Sequence, residues 1–380
     1  MRLFLLTFFI IYGGMHLYAF LKAKAAFAFG AVTGLSLILF MLMMVLAPVI
    51  VRYSERLGFE LFARIAAHIG FFWGGILFLF FSASVVIDLY RLAVYLAGLI
   101  LQIDFSAISP SAKYSFFVPL LLSLCITIYG YFEARDIRTE RIFIKTSKIP
   151  AEIGRLKIVQ ISDVHLGLMV REDRLNRILD KVKAEQPDIL VSTGDLVDGQ
   201  VCRLNGLEDL LKAINPRYGK FAITGNHEFY AGIENARCFT ENAGFTFLRG
   251  EGVTVAGMIN IAGIDDPAGR YYGLKDISEK GVLSKLPRDK FTLFLKHRPT
   301  VDKDAVGLFD LQLSGHAHKG QIFPFSLITR IYYRHTADAG HLKLMDNFYL
   351  YVSRGSGTWG PPIRFLAPPE VTAIELVHEE

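Results

Sequence analysis

The chain has 380 residues, enough for two domains, with 52% hydrophobic residues and a mean hydropathy of +0.36. That composition excludes an ordinary soluble enzyme, and it is unevenly spread: residues 3–132 are largely apolar, whereas the remainder reads as a normal soluble sequence. A net charge of +5, with no basic run interleaved with aromatics, excludes a nucleic-acid-binding stripe and fits a membrane surface or phosphate substrates.

Four stretches approach or exceed the about 20 apolar residues needed to cross a hydrocarbon layer. They are residues 3–20, 25–51, 62–87 and 116–132. Residues 92–103 are apolar but too short to span, and either extend the third helix or lie at the interface. Asp88 and Arg91 share a helix face and are read as an interfacial pair. Gly13-Gly14 and Gly74-Gly75 suggest close helix contacts, and His16, His68 and Cys125 read as bundle packing. Ala23-Lys24-Ala25 superficially resembles a signal cleavage site, but the first run is long and three further spans follow, which favours an anchor. With four spans, both termini share the side that carries Arg2, Arg52, Arg56, Arg64, Arg135, Arg138, Arg141, Lys145 and Lys148, against Lys22, Lys24, Lys113 and, if it lies there, Arg91 opposite. The bias places the C-terminal domain in the cytoplasm.

Residues 133–150 read as a charged linker. Residues 156–161 then form a β-branched apolar run, a strand ending at Asp163-Val164-His165. Leu175, Ile178, Leu179 and Val182 have helical spacing within 172–186, and Pro187 stops that helix. Strands over 188–192 and 221–224 lead to Gly194-Asp195 and to Gly225-Asn226-His227-Glu228. Those over 291–295 and 310–313 lead to Lys296-His297-Arg298 and to Gly315-His316-Ala317-His318. Residues 342–345 and 348–352 form a hairpin about Asp346-Asn347. Strands alternating with helices, then hairpins, imply a mixed sheet sandwich with outer helices.

Carboxylates, imidazoles and one carboxamide, each just past a strand, suit a divalent-metal site. Cys125, Cys202 and Cys238 have no paired spacing, so neither a disulfide framework nor a zinc knuckle is expected. The five motifs, in this order, resemble those of the calcineurin-like metallophosphoesterase superfamily. Over residues 156–376 the chain resembles its membrane-anchored bacterial branch, which includes phosphodiesterases and UDP-2,3-diacylglucosamine pyrophosphatases. Ser353-Arg354-Gly355, Pro362-Ile363-Arg364-Phe365 and Pro368-Pro369-Glu370 add to the likeness.

The apolar runs imply a four-helix transmembrane bundle (1–135) followed by a linker (136–152), and the resemblance implies an α/β metallophosphoesterase domain (153–380) of two packed mixed sheets flanked by helices. It implies two divalent ions, manganese by family habit, with iron or zinc as alternatives. Asp163, His165 and His318 would hold one ion, Asn226, His297 and His316 the other, and Asp195 would bridge them. Ions about 3.5–4 Å apart need such a shared anion and clamp a phosphoryl group for in-line attack by a bridging hydroxide. His227 would be a catalytic group, and Glu228 would either orient it or, equally, form a surface or supporting salt bridge.

Asp198 reads best as a turn cap. Lys319 stands where this branch usually has glycine. With Arg298, Arg354 and Arg364 it is a candidate for phosphate contact, a structural role being the better reading for each arginine. Tyr271-Tyr272 and Trp359 could touch a bilayer or acyl chain, with loop core favoured. The expected function is a membrane phosphohydrolase for a phosphodiester or pyrophosphate, including lipid-linked ones. A membrane-tethered phosphomonoesterase and a non-catalytic metal-bound scaffold are the alternatives.

Overall fold

The computed structural model describes residues 2–199, 204, 206–333, 339–340, 342–345 and 348–379, with the backbone alone for 2–5 and 342–345. Cys202 and the expected Asp346-Asn347 turn lie outside the described residues. The chain forms two compact units: Met1–Phe132 with Gly360–Ile363, and Glu133–Trp359 with Arg364–Glu380.

The first unit is built from α1 (Arg2–Phe27), α2 (Ala31–Leu57), α3 (Glu60–Leu101) and α4 (Tyr114–Glu133), each with a segment long and apolar enough to cross a membrane. Met15 and Ala19 of α1 pack with Leu77 and Phe80 of α3, joined by Met41 of α2 and Phe116 and Leu120 of α4. Many other apolar side chains, among them Leu35, Leu39, Leu42 and Ile69, point outward. That is the pattern of helices solvated by lipid, where outward apolar groups carry no penalty. Ala25 lies within α1 rather than starting the second span, because the chain breaks only at Ala28, whose φ is 48°. Residues 92–101 continue α3 without interruption. The close α2–α3 approach is at Gly70, where an added Cβ would fall 2.8 Å from that of Ala47. Gly13 and Gly14, expected at such a contact, have nothing within 4 Å of an added Cβ. Asp88 reaches past Arg91, at 3.9 Å, to Tyr18 Oη and Lys22 Nζ of α1, each at 2.5 Å. Trp73 Nε1 donates to His16 Nε2 at 2.9 Å, so His16 Nδ1 carries the proton and donates to the Tyr12 carbonyl at 2.8 Å.

In the second unit the strands are β1 (Arg138–Thr146), β2 (Arg155–Ile161), β3 (Ile189–Ser192), β4 (Lys220–Ala222), β5 (Thr246–Phe247), β6 (Glu251–Val255), β7 (Ile259–Gly263), β8 (Phe291–Leu295), β9 (Leu311–Ser314), β10 (Leu342–Met345), β11 (Phe348–Val352) and β12 (Glu370–His378). The helices are α5 (Glu172–Glu185), α6 (Leu207–Lys212), α7 (Asn226–Ala231), α8 (Ile233–Asn242), α9 (Glu279–Leu283) and α10 (Phe325–Tyr333). One sheet runs β1-β12-β2-β3-β4-β5 and the other β10-β11-β9-β8-β7-β6. Within them β2-β3-β4-β5 and β7-β8-β9-β11 are parallel. Between the sheets lie Ile158, Val191 and Ile374 of the first with Ile261, Leu293, Leu313 and Tyr351 of the second. Val159, Leu190 and Ala373 face α5 and α8 through Leu175, Ile178, Leu179, Val182 and Phe239. Phe294, Phe348 and Leu350 cover the outer face of the second sheet with Val282, Leu283 and Phe309.

The segment read as a linker contains β1, which pairs parallel to β12 along the sheet edge. Only Ile142 and Ile144 of its alternating pattern turn inward, so its charges hide a strand exposed on one face.

Candidate metal centre

The motifs sit at the C-terminal ends of β2, β3, β4, β8 and β9, the edge where parallel α/β sheets place their binding crevices. Five positions hold a left-handed backbone: Asp163 (φ 51°), His165 (56°), Asp195 (51°), His316 (67°) and His318 (47°). For non-glycine residues this costs of order 1–3 kcal/mol each, and it clusters where function requires it. Local hydrogen bonds hold the geometry. His316 N donates to Asp163 Oδ1 at 3.0 Å, His227 N to Asp195 Oδ1 at 2.8 Å, and Ser162 Oγ to Asp163 Oδ2 at 2.5 Å. Gly225 lets β3 and β4 loops approach: a Cβ there would lie 2.1 Å from Asp195 Oδ1.

Two donor sets result. Asp163, His165 and His318 offer ligand atoms within 4.8 Å of one another, and so do Asp195, His297 and His316. Asp195 Oδ2 lies 3.2 Å from His297 Nε2 and 3.8 Å from His165 Nε2, within reach of both. A third combination, His165, Asp195 and His227, meets the same limit. In each main set two imidazole nitrogens face each other, His165 Nε2 to His318 Nε2 at 3.2 Å and His297 Nε2 to His316 Nδ1 at 3.1 Å. That is the separation of two nitrogens bound to one ion at about 2.0–2.1 Å. His297 Nδ1 donates to the Thr193 carbonyl at 2.8 Å, which turns Nε2 toward the carboxylate of Asp195 and the ring of His316. Asn226 Oδ1 is buried with no hydrogen-bond partner, a costly state that a cation would relieve. The residues therefore fit a pair of divalent ions.

Burial shapes the electrostatics. It lowers His165 to about 3 and, helped by the charge of His297, His316 to about 4, so both imidazoles are neutral near neutral pH, the form a cation needs. Burial opposes the charge on Asp195, but His297 and His227 overcome it and hold the carboxyl well below its usual range. The same pairing overcomes burial at His297 and raises it to about 10.

His227 is buried beside this cluster, its ring 4.6 Å from that of His165. Burial alone would lower it, yet Asp195 and Asp198 raise it to about 9. Asp198 Oδ1 accepts from His227 Nδ1 at 3.0 Å, so Asp198, read as a turn cap, supplies the orienting partner expected of Glu228. Glu228 instead turns to backbone amides. It accepts from Gly225 N at 2.6 Å, Leu196 N at 2.7 Å, Asp195 N at 3.0 Å and Val197 N at 3.3 Å. The spacing between Asp195 and Asp198 was visible in sequence; nothing there showed that His227 faces it.

The three arginines proposed for phosphate contact have protein partners. Arg298 pairs with both oxygens of Asp266, at 2.8 and 3.0 Å. Arg354 meets Glu370 Oε2 at 2.5 Å and also bonds Glu140. Arg364, fully buried, donates to the carbonyls of Arg354, Gly355, Gly357 and Ala367. Lys319 is half-buried and makes no hydrogen bond or ion pair among the described residues. Tyr271, Tyr272 and Trp359 are exposed rather than loop core. Trp359 and Tyr230 come to 6.2 and 5.2 Å from the His227 ring, and Tyr333 to 6.1 Å from that of His316. Sequence reading passed over Tyr230 and Tyr333, which lie in no ligand motif.

The profile of the calcineurin-like phosphoesterases matches residues 156–320. An uncharacterized metallophosphoesterase of Aquifex aeolicus is 38% identical over 260 residues, 68% of this chain and 98% of its own. One from Helicobacter pylori strain J99 is 35% identical over 230 residues, 58% of this chain and 60% of its own. A Danio rerio transmembrane protein with metallophosphoesterase domain is 30% identical over 270 residues, 68% of this chain and 61% of its own. The match thus spans nearly all of the first relative and about three fifths of the other two.

Proposed function

The chain belongs to the calcineurin-like metallophosphoesterases, and from that premise we propose an integral-membrane, two-metal phosphohydrolase that cleaves a phosphodiester or pyrophosphate, lipid-linked substrates included. The observation that carries this reading is Asp195 Oδ2, within 3.8 Å of imidazoles from both donor sets. Asp163, His165 and His318 hold one ion in this reading, Asn226, His297 and His316 the other, and Asp195 belongs to both. When bound, the ions, manganese by preference, would supply Lewis-acid polarisation of the phosphoryl group and an acidified water for in-line displacement. His227 carries a proton at neutral pH and sits beside the donor sets, as a general acid for the leaving oxygen or a stabiliser of developing charge requires. Asp198 keeps the ring in place.

Arg298, Arg354 and Arg364 are engaged by protein partners, so none of the three is a free guanidinium clamp for phosphate. The apolar helices support a multi-pass anchor, and the lysine and arginine bias supports a cytoplasmic catalytic domain.

The test is hydrolysis of bis-p-nitrophenyl phosphate by the detergent-solubilised protein, stripped of metal and resupplied with manganese. Activity should return with the metal and vanish in Asp195→Asn and His227→Ala. Turnover confined to soluble monoesters would sink the diester reading, and bound metal without turnover on diesters or UDP-diacylglucosamine would favour the scaffold.

A further inference from the structure

Helix α10 is amphipathic the wrong way round for a soluble domain. At 100° per residue, Phe325, Leu327, Ile328, Ile331 and Tyr332 fall on one half of its circumference, and Ser326, Thr329, Arg330 and Tyr333 on the other. A surface helix ordinarily turns its apolar half to the core. Here the half-buried residues are Ser326, Thr329 and Tyr333, the last beside His316. The apolar half is outward: Ile331 is 75% exposed, Tyr332 73% and Ile328 55%. Phe323, just before the helix, is exposed as well.

Charge narrows the choice of occupant. From Lys319 to Tyr333 there are two basic residues, Lys319 and Arg330, and no acidic one. An apolar helical face with basic residues beside it is the signature of an element lying in the interface of a bilayer with anionic head groups. Only residues 134–137 separate α4, an apolar helix long enough to span, from β1, so the unit that carries α10 is tethered to such a bilayer by a short connection. We infer that α10 is an interfacial helix whose outer face, Phe325, Leu327, Ile328, Ile331 and Tyr332, inserts among the lipid chains next to the catalytic centre. This rests on the membrane part of the proposed function and not on the chemistry.

The test uses the full chain in vesicles of phosphatidylcholine and phosphatidylglycerol, with Cys125, Cys202 and Cys238 replaced by alanine. An environment-sensitive fluorophore is attached through Ile331→Cys or, for reference, through Lys275→Cys on an exposed loop. Lipids brominated in the acyl chains should quench the label at 331 strongly and that at 275 little. Arg330→Glu should weaken the quenching at 331. Equal quenching at the two sites overturns the inference. So does a signal at 331 that follows protein density and ignores bromine, which would mean that a second copy covers the helix. If Ile331→Cys fails to fold, Tyr332→Cys reads the same face. Because the readout is fluorescence, a failure of the hydrolase reading leaves this result standing.

Discussion

The environment of His227 sets what its ring can do. The carboxylates of Asp195 and Asp198 hold it protonated against the pull of burial, so the group is charged below its raised value of about 9 and loses its proton as pH rises through it. If it acts as a general acid, activity falls on the alkaline side. Bound cations pull that limb toward neutrality, but the contribution of Asp198 keeps its sign. Asp198→Asn removes one stabilising charge at 3.0 Å and should move the alkaline limb of kcat/KM down by about 1–3 pH units. A pH–rate profile identical to that of the native protein would refute this. Glu228 makes a different prediction, because it touches backbone rather than ring. Glu228→Gln would turn an amide NH2 toward amide N–H groups and loosen the loops that carry Asp195 and Asn226. Metal affinity should fall by about 10–100-fold, read by manganese titration, with little change in the pH profile.

At the scale of elements, the loop between β11 and β12 is tied by one side chain. Arg364 donates to four main-chain carbonyls and lies 3.3 Å from His318 Nδ1. Arg364→Met would orphan those acceptors at a cost of about 3 kcal/mol or more, so thermal unfolding of the solubilised protein should begin several degrees lower. Arg364→Lys should recover little, since one ammonium cannot reach them all. The strands that lead to the ligand candidates were legible because each is an apolar run ending in a polar motif, and β8, like the hairpin strands β10 and β11, matches its expected limits. β1 was not, since an edge strand with two inward residues looks like a charged connector. The role of Glu228 stayed open in sequence because adjacency to His227 says nothing of direction: in α7 neighbours point about 100° apart. α10 escaped notice because its apolar stripe carries no metal-ligand motif.

For the whole molecule, the catalytic unit has three apolar cores of its own, and the Aquifex relative is matched over 98% of its length by 260 residues of this chain. A fragment of residues 134–380 should therefore fold and hydrolyse a water-soluble diester at an undiminished rate, while losing turnover of substrates embedded in vesicles. Equal losses on both would show that the helices do more than hold the enzyme in place. The 42-residue α3 bears on what holding in place means. At about 1.5 Å per residue it is about 63 Å long, twice the roughly 30 Å of a hydrocarbon core. Sliding or tilting such a helix by several ångströms exchanges one apolar ring of side chains for another, so its length alone selects no membrane thickness. In the proposed multi-pass anchor, depth would be marked by the charged knot of Asp88, Lys22 and Arg91. The protein should thus tolerate thin and thick bilayers alike until Asp88 is neutralised, after which the helices lose their vertical reference.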